Sequence, residues 1–353
     1  MMKRIRLSSL ILFLFLACIN SKANAAANNY GLKPIYGANQ IAKNGQLDIF
    51  GDPGSQQIIT LGILNQDQKA HRYTARFYTA YTSGSGNYAY YRQRKIDPSL
   101  RLNLRHYVQP KQKTVKVAAN QLQNVSFQVQ IPKSSINGYL MGGIVVTPAK
   151  GEAISRTVSQ NGILLKNQFR QGIPVKIRQD KNLNRQPEFR VRQIVPTVNR
   201  AMKVRGVKAN LQNYVAGFNG DIAAVATVTK RPDKHQFKKV SRQTHLSPAP
   251  NSNYNYQIDW GDSPLQAGDY HLNLKLRSAD QTRSWVINKN FTINNSQAKK
   301  YNQLSGIEPN YLWLWLSIAL LTLLLVLGIG IYFGRRSQQK IQQQFLKEQK
   351  NKN

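Results

Sequence analysis

The sequence predicts an all-β protein: two immunoglobulin-like β-sandwich domains in tandem, followed by one C-terminal transmembrane α-helix. Three observations support this fold class. Between residues 26 and 310 apolar residues recur at every second position, the period of a half-buried strand. Turn-forming pairs such as Asn137-Gly138 separate these runs. Near the C-terminus a single apolar stretch of 23 residues is long enough to cross a bilayer.

The first 25 residues have the composition of a secretory signal peptide. Such a signal has a basic segment, an apolar core and a cleavage site of small residues, here Lys3, Arg4 and Arg6, then Leu7 to Ile19, then Ala23-Asn24-Ala25. An alternative is a lipoprotein signal in which Cys18 carries the lipid. Because Cys18 is the only cysteine of the chain, the mature protein should have no disulfide, no thiolate nucleophile and no cysteine-bound zinc.

The first β domain is predicted over residues 26–178. Its strands show alternating apolar residues in two series, Val125, Phe127, Val129 and Ile131, then Ile173, Val175 and Ile177. Asn137-Gly138-Tyr139 is similar to a tyrosine corner, in which the phenol hydroxyl bonds to upstream backbone. This interpretation makes Leu140 to Thr147 a late strand and Ile163 to Arg178 the final edge strand. The polar segment from Gln179 to Pro187 is the predicted linker.

The second β domain is predicted over residues 186–297. Three series alternate there: Tyr254, Tyr256, Ile258 and Trp260; Tyr270, Leu272, Leu274 and Leu276; and Trp285, Ile287, Phe291 and Ile293, with Lys289 as the one break. Gly268-Asp269-Tyr270 predicts a second tyrosine corner, followed by a late strand at Leu272 to Arg277 and a final edge strand at Trp285 to Ile293. An ordinary turn tyrosine is the alternative for either corner alone, but two in the same relative position favour sandwiches.

The C-terminal region is predicted to form a stalk at 298–310, a transmembrane helix at 311–333 and a basic cytoplasmic tail at 334–353. Aromatic residues stand at both margins of the apolar stretch and basic residues follow it: Tyr311, Trp313 and Trp315, then Tyr332, then Arg335, Arg336 and Lys340. The expected product is a single-pass protein of the cell membrane, with its N-terminal ectodomain outside and its C-terminus in the cytoplasm.

The charge of the chain is strongly positive. It has 50 Lys and Arg against 15 Asp and Glu, a formal charge of +35, while 41% hydrophobic and 18% charged residues exclude a disordered chain. Leaving out four basic residues of the signal, six of the tail and Glu348 gives an ectodomain with 40 basic and 14 acidic residues, a net charge of +26. Export excludes nucleic acid as the partner, so the field should concentrate extracellular polyanions. General adaptation of the surface to an acidic medium is the alternative.

Motifs for catalysis, metal binding or cofactor binding are absent from the sequence. The five histidines, His71, His106, His235, His245 and His271, form neither an H-E-x-x-H motif nor an i, i+4 pair, and no G-x-S-x-G or phosphate-binding loop occurs. Asp259 and Asp262 could supply the carboxylate pair of a glycan hydrolase. Acids in such a position are more often turn-formers. We therefore predict a protein that is not an enzyme and needs no cofactor or metal.

Two clusters predict binding. The candidate glycan-binding residues are Tyr81, Tyr88, Tyr90, Tyr91, Arg92 and Arg94, which lie in a segment that also contains Tyr73, Tyr78 and Lys95. Aromatic faces beside cations suit sugar rings with anionic substituents; cross-strand tyrosine packing is the alternative. The candidate polyanion-binding residues are Lys230, Arg231, Lys238 and Lys239, for which a merely solvated charge run is the alternative.

The layout of signal, two β domains, aromatic-flanked span and basic tail resembles the WxL-interacting proteins of Gram-positive cell surfaces. The local matches are Asn137-Gly138-Tyr139, Gly142-Gly143-Ile144, the run Val207 to Asn213, Ala249-Pro250-Asn251-Ser252 and the run Pro264 to Tyr270. The resemblance implies a first domain that binds peptidoglycan and a second that binds host or partner proteins. It also implies that the boundary between the domains could lie earlier, near 151–162.

The resemblance makes the chain the interactor of a secreted WxL-domain protein, since it has no Trp-x-Leu triplet of its own. Its positive charge exceeds that expected of the family, which adds an anionic wall polymer or an acidic host ligand, for example a host matrix protein, as a partner. The expected function is a non-catalytic surface protein that holds peptidoglycan and a partner at the membrane. The alternatives are a polyanion-binding adhesin without a WxL partner and a wall glycan hydrolase.

Overall fold

The structure of the chain is a computed structural model that describes residues 29–152, 157–160, 163–166, 169–199, 204–232, 237–261, 263–306 and 312–350. The predicted signal peptide with Cys18, and also His235, Asp262 and Tyr311, lie outside the described residues.

The described residues form twenty strands and two α-helices. In chain order, β1 to β20 are Tyr30–Ile35, Leu47–Phe50, Gln56–Asn65, His71–Thr79, Tyr81–Thr82, Tyr88–Ala89, Val108–Gln109, Gln112–Val117, Leu122–Gln130, Leu140–Pro148, Thr157–Gln160, Ile163–Lys166, Gln171–Arg178, Phe189–Asn199, Val204–Asn213, Ile222–Lys230, Lys238–Leu246, Ser252–Gly261, Gly268–Ser278 and Ser284–Ile293. A 3-10 turn covers Leu104–Tyr107, and the helices are α1, Asn295–Leu304, and α2, Leu312–Lys350. The prediction of an all-β protein with a C-terminal apolar helix is confirmed.

The first β-sandwich packs a four-stranded sheet, β1-β3-β9-β7, against a five-stranded sheet, β2-β13-β10-β4-β8. The alternating apolar residues of β9 and β13 all face one core, where Val125, Phe127 and Val129 have no exposed surface. Period-two patterning therefore correctly assigned the buried face of these strands.

One strand of this sandwich differs from its prediction. The expectation that Ile163 to Arg178 forms the final edge strand is wrong, because β13 lies between β10 and β2 and pairs with β2 in parallel, Ile177 opposite Ile49. The residues from Ile163 to Lys166 pair instead with β11 in a separate two-stranded hairpin. Alternation marks the buried face of a strand, but it is the same for an edge strand and a central one.

The second β-sandwich packs the sheet β14-β15-β18 against β17-β16-β19-β20 and has a core of its own. Tyr256, Trp260 and Tyr270 are buried in this core, and β20 is the predicted edge strand of its sheet. Lys289, the break in the alternation of β20, has its ammonium 3.0 Å from the carbonyl oxygens of Val191 and Arg192. The lysine thus satisfies backbone groups at a bulge in β14 and joins the two sheets.

Only one of the two predicted tyrosine corners has the expected bond. The hydroxyl of Tyr270 donates to the carbonyl of Gln266, four residues upstream, at 2.8 Å. The hydroxyl of Tyr139 donates to the carbonyl of Leu183, which lies 44 residues downstream, at 2.6 Å. The first corner prediction is wrong because this phenol fastens the segment that follows the sandwich rather than its own strand entry.

The two sandwiches touch along the segment from Gln179 to Pro187, predicted as a linker. The backbone N–H of Phe218 donates to the carbonyl of Arg185 at 2.9 Å, and that of Tyr139 donates to the carbonyl of Ala216 at 2.8 Å. A Cβ added to Gly217 would lie 1.9 Å from the carbonyl oxygen of Gln186. Backbone from both sandwiches therefore packs closely around this segment.

A hairpin of the first sandwich, β5–β6, docks onto the second. The backbone N–H of Tyr88 donates to the carbonyl of Ser247 at 2.8 Å, and the hydroxyl of Thr82 lies 2.5 Å from that of Ser252. Gly86 has a φ of +83°, and a Cβ there would lie 2.6 Å from the side chain of Leu246. The turn of the hairpin therefore requires glycine both for its backbone conformation and for the close approach.

Part of the predicted stalk is an ordered helix that packs on the second sandwich. Asn294 and Gln297 form a capping box at the start of α1, Ala298 is buried, and the side-chain amide of Asn302 bonds to both backbone groups of Leu265 at 2.8 and 2.9 Å. The described residues contain one helix long and apolar enough to cross a membrane, from Leu312 to Lys340.

Candidate binding surfaces

The predicted aromatic cluster divides between the core and the surface. Tyr73 is fully buried, its hydroxyl donates to the side chain of Asn65 at 3.1 Å, and burial raises its pKa to about 12. It supports the sandwich and is unavailable to a ligand. Tyr81 and Tyr88 are half-buried, and Tyr91 is 42% exposed.

Tyr90 anchors a stack of three tyrosine rings on the outer face of the five-stranded sheet. Cβ atoms added to Gly143 and Gly172 would lie 2.1 and 2.7 Å from its ring, so the two glycines leave the space that this ring fills. Its hydroxyl donates to the carbonyl of Gly172 at 3.2 Å, and burial raises its pKa. Tyr91 stacks on Tyr90 with centroids 5.1 Å apart, and Tyr88 stacks with centroids 6.2 Å apart. The stack therefore presents Tyr91, its exposed member, on a rigid base.

The two predicted arginines occupy different environments. Both are exposed, but the guanidinium of Arg94 lies over the ring of Tyr81, 5.3 Å from its centroid. Tyr81 and Arg94 both line a cleft of about 360 Å³ at the junction of the sandwiches. The structure thus separates the predicted glycan-binding residues into a stack, Tyr88, Tyr90 and Tyr91, and a cleft pair, Tyr81 and Arg94.

The floor of this cleft contains a buried carboxylate that the sequence analysis missed. Asp97 of the first sandwich accepts hydrogen bonds from the side-chain amides of Gln212, at 2.6 Å, and Asn253, both of the second sandwich. It also accepts from the backbone N–H and the hydroxyl of Ser99, at 2.9 and 2.8 Å. Burial alone would raise the pKa of Asp97, but the bonds from Ser99, Asn253 and Gln212 outweigh burial and lower that pKa.

The predicted polyanion-binding residues do not form one surface. Lys238 and Lys239 are neighbours on β17 and therefore point to opposite faces of its sheet. The ammonium of Lys239 donates to the carbonyl of Trp260 and to the hydroxyl of Ser263, both at 2.9 Å, which occupies it inside the sandwich. Lys230 donates to the side chain of Gln266 at 3.1 Å. Of the four residues, Lys238 and Arg231 are exposed.

The candidate hydrolase carboxylates are represented by Asp259 alone, since Asp262 lies outside the described residues. Asp259 is exposed on the outer face of β18 and accepts a hydrogen bond from the side-chain amide of Gln257 at 2.8 Å. Among the described residues no group of three or more His, Cys, Asp or Glu side chains could hold a metal ion.

Two family models match the chain and together cover both sandwiches. Residues 30–148 match the peptidoglycan-binding domain of the WxL-interacting proteins. Residues 160–303 match the host-binding domain of the same family. The chain belongs to the WxL-interacting protein family. No curated protein sequence matches this family member.

Solved structures similar to this WxL-interacting protein include bacterial pilus chaperones. The CsuC-CsuE chaperone-tip adhesion subunit pre-assembly complex of Acinetobacter baumannii is 12% identical over 74% of this chain and 98% of the other, with a TM-score of 0.31. The E. coli chaperone DraB is 12% identical over 75% and 98%, with a TM-score of 0.28. A PapD-like domain of human CEP192 is 10% identical over 46% and 92%, with a TM-score of 0.26. TM-scores this low carry no argument about function.

Proposed function

We propose that this WxL-interacting protein is a non-catalytic surface protein that holds peptidoglycan through its first domain and a secreted WxL-domain protein or a host ligand through its second. The pair of family matches, to a peptidoglycan-binding and a host-binding domain, carries the proposal. We further propose that α2 crosses the cell membrane, with both domains outside and the basic tail in the cytoplasm. The apolar stretch from Leu312 and the arginines that follow it support this orientation.

The tyrosine stack is the proposed contact with the glycan. One face of Tyr91 rests on Tyr90, and the 42% exposure of Tyr91 leaves apolar ring surface for a sugar ring. Its position is fixed before any ligand arrives, because Tyr90 fills the space above Gly143 and Gly172. Preorganised aromatic surface costs little conformational entropy on binding.

Replacing Tyr91 with alanine should weaken binding to peptidoglycan. We expect a loss of about 1 kcal/mol, roughly a fivefold increase in Kd, because the substitution removes the ring on which the sugar stacks. The measurement is retention of the full chain, in neutral detergent micelles, on purified wall sacculi freed of anionic polymers.

Tyr214→Ala is the matched control for this experiment. Tyr214 belongs to the second domain, is 39% exposed and packs beside the guanidinium of Arg190 at 5.3 Å, so the change removes a similarly exposed ring beside a cation. Equal retention of wild type and the Tyr91 variant would reject the stack as the glycan contact. Absence of retention for the wild type would reject the wall-binding half of the proposal.

The partner and the orientation have separate tests. The full chain should capture a secreted WxL-domain protein in a purified two-component mixture, and failure with every such protein of the same cell would reject the partner.

The orientation can be tested on intact cells. An impermeant amine reagent applied to intact cells should label lysines of both domains and spare Lys340. If the reagent labelled Lys340 but not the lysines of the two domains, the orientation would be the opposite of the one proposed.

A further inference from the structure

The outer face of the sheet β17-β16-β19-β20 in the second domain is an ordered array of basic and small polar side chains, with three valines among them. Strand register places side chains in four rows across this face: Lys238, Thr229, His271 and Asn290; Val240, Thr227, Asn273 and Asn288; Arg242, Val225, Lys275 and Val286; and Ala223, Arg277 and Ser284. The alternate residues of β16 and β19 lie in the core, so these rows face away from it. We name this surface the basic face.

The four cations of the basic face, Lys238, Arg242, Lys275 and Arg277, are all exposed. Within the described part of the chain none of the four forms an ion pair or a side-chain hydrogen bond. Acids stand at both ends of the array and bond to other residues. At one end Asp269 accepts a hydrogen bond from the hydroxyl of Thr292 at 2.6 Å. At the other end Asp221 lies 3.3 Å from the ring of His245, and Asp280 accepts from the hydroxyl of Thr282 at 3.0 Å. The four positive charges are therefore uncompensated and share one surface.

The outer faces of the first domain show that this arrangement is not a uniform property of the basic chain. Across β3 and β9 the outward pairs are uncharged: Gln56 with Gln130, Ile58 with Gln128, Thr60 with Ser126, and Gly62 with Asn124. On the five-stranded sheet Arg72 pairs with Glu152 at 3.1 Å and Lys176 lies 3.8 Å from Asp48. Lys113 and Lys116 of β8 are exposed there, but they are three positions apart and therefore point to opposite faces of the sheet. General adaptation to an acidic medium would not by itself gather four unpaired cations on one face of one sheet.

The side chains of the basic face favour a hydrophilic polyanion over a folded protein. Protein interfaces concentrate their binding energy in buried aromatic residues, and the four rows contain no Tyr, Trp or Phe. The side chains of Thr227, Asn273 and Asn288 add hydroxyl and amide groups beside the cations. The amide of Asn273 donates to the side-chain oxygen of Asn288 at 2.7 Å, so a ligand hydroxyl would bond to the remaining groups. Lys275 and Arg277 lie about 7 Å apart along a strand, and Arg242 lies about 10 Å from Lys275 across the sheet. A linear polymer with regularly spaced charges and hydroxylated repeats could contact several cations at once.

We propose that the basic face binds a linear phosphodiester polymer with hydroxylated repeats. Phosphate groups would pair with the four cations, and repeat hydroxyls would bond to the Thr and Asn side chains between them. This inference goes beyond the proposed function, which gives the second domain a WxL-domain protein or a host ligand, and does not depend on it.

The test measures binding of the full chain, in neutral detergent micelles, to purified polyglycerol phosphate over a series of salt concentrations. With four contacts the log of the binding constant should fall against the log of salt with a slope of about −2 to −3. The double substitution Lys275→Gln with Arg277→Gln should lower affinity by about tenfold at low salt and make the slope less steep by about 1.4.

The matched control is Lys113→Gln with Lys116→Gln, which removes two exposed charges from β8 in the first domain. It should bind like the wild type, and thermal unfolding should show that both double variants remain folded. Equal loss in both variants would overturn the proposal, since binding would then follow net charge alone. Absence of wild-type binding would also overturn it. If polyglutamate bound as tightly as polyglycerol phosphate and the Lys275 and Arg277 double variant lost that binding too, the ligand of the basic face would be an acidic protein rather than a phosphodiester polymer.

Discussion

Replacing Asp48 with alanine should destabilise the first domain by about 3–5 kcal/mol, because it leaves a buried arginine without its counter-charge. Asp48 is 3% exposed and accepts two hydrogen bonds from the guanidinium of Arg178, at 2.6 and 3.0 Å. Another guanidinium nitrogen of Arg178 lies 3.3 Å from the carbonyl oxygen of Lys181. The pair therefore joins β2 to β13 and holds the start of the segment between the domains, so these strands should open first.

Amide hydrogen exchange of β2, β10 and β13 in the full chain would measure this loss. The tryptophans are unsuitable probes because all four lie beyond the first domain. Asp52→Ala removes an exposed acid four positions away and should change protection by less than about 0.5 kcal/mol. Adding Arg178→Met to Asp48→Ala should restore part of the stability, since most of the loss arises from the unpaired charge. No recovery in the double variant would contradict this explanation.

Local patterns in the sequence predicted the elements of the fold but not how they are joined. Alternation identified β9, β18, β19 and β20 because one face of each strand packs on the core and the other faces water. Adjacent residues along the strand therefore alternate between apolar and polar, which is visible in the local sequence. It could not show that β13 pairs with β2 in parallel, since strand order depends on contacts between distant segments. The capping box at Asn294, by contrast, was a readable local signal for α1 that the stalk prediction overlooked.

For the candidate sites, too, the sequence indicated which segments to consider but not which of their side chains are exposed. Composition indicated an aromatic and basic segment, and Tyr91 is indeed an exposed ring on a rigid base. The same composition could not distinguish Tyr73, which is in the core, because composition does not show which face of a strand or which loop a tyrosine occupies. Strand alternation could have separated Lys238 from Lys239. No local signal could have shown that Asp97 meets Gln212 and Asn253, which lie 115 and 156 residues away.

Replacing Asp97 with alanine should uncouple the two domains and cost about 2–4 kcal/mol, because it leaves the buried amide of Gln212 and the half-buried amide of Asn253 without an acceptor. Both donors belong to the second domain, as does Arg192, whose guanidinium lies 3.8 Å from the carboxylate, so most of the loss falls on the junction. The bonds from Ser99 are also lost, but they lie in a loop of the first domain rather than in its core. Hydrogen exchange of the N–H groups of Tyr88 and Tyr139, which bond across the junction, should rise while exchange in both cores is unchanged. Asp259→Ala, on an exposed strand face, should leave both groups protected. Equal protection in the Asp97 variant would show that the backbone bonds alone hold the domains together.

The same carboxylate makes the junction sensitive to acid. The pKa of Asp97 is lowered from its ordinary value of 3.8 in the folded protein, so its stabilising contribution is fully present above that value and is lost as the pH falls through the lower, folded pKa. Asp67 and Glu152 also have lowered pKa values, and their protonation destabilises the first domain in wild type and variant alike. The difference in junction stability between wild type and Asp97→Ala should therefore stay constant from neutral pH down to about 4 and shrink below it. A difference that persisted unchanged in stronger acid would mean that the neutral acid holds Gln212 and Asn253 as well as the carboxylate does.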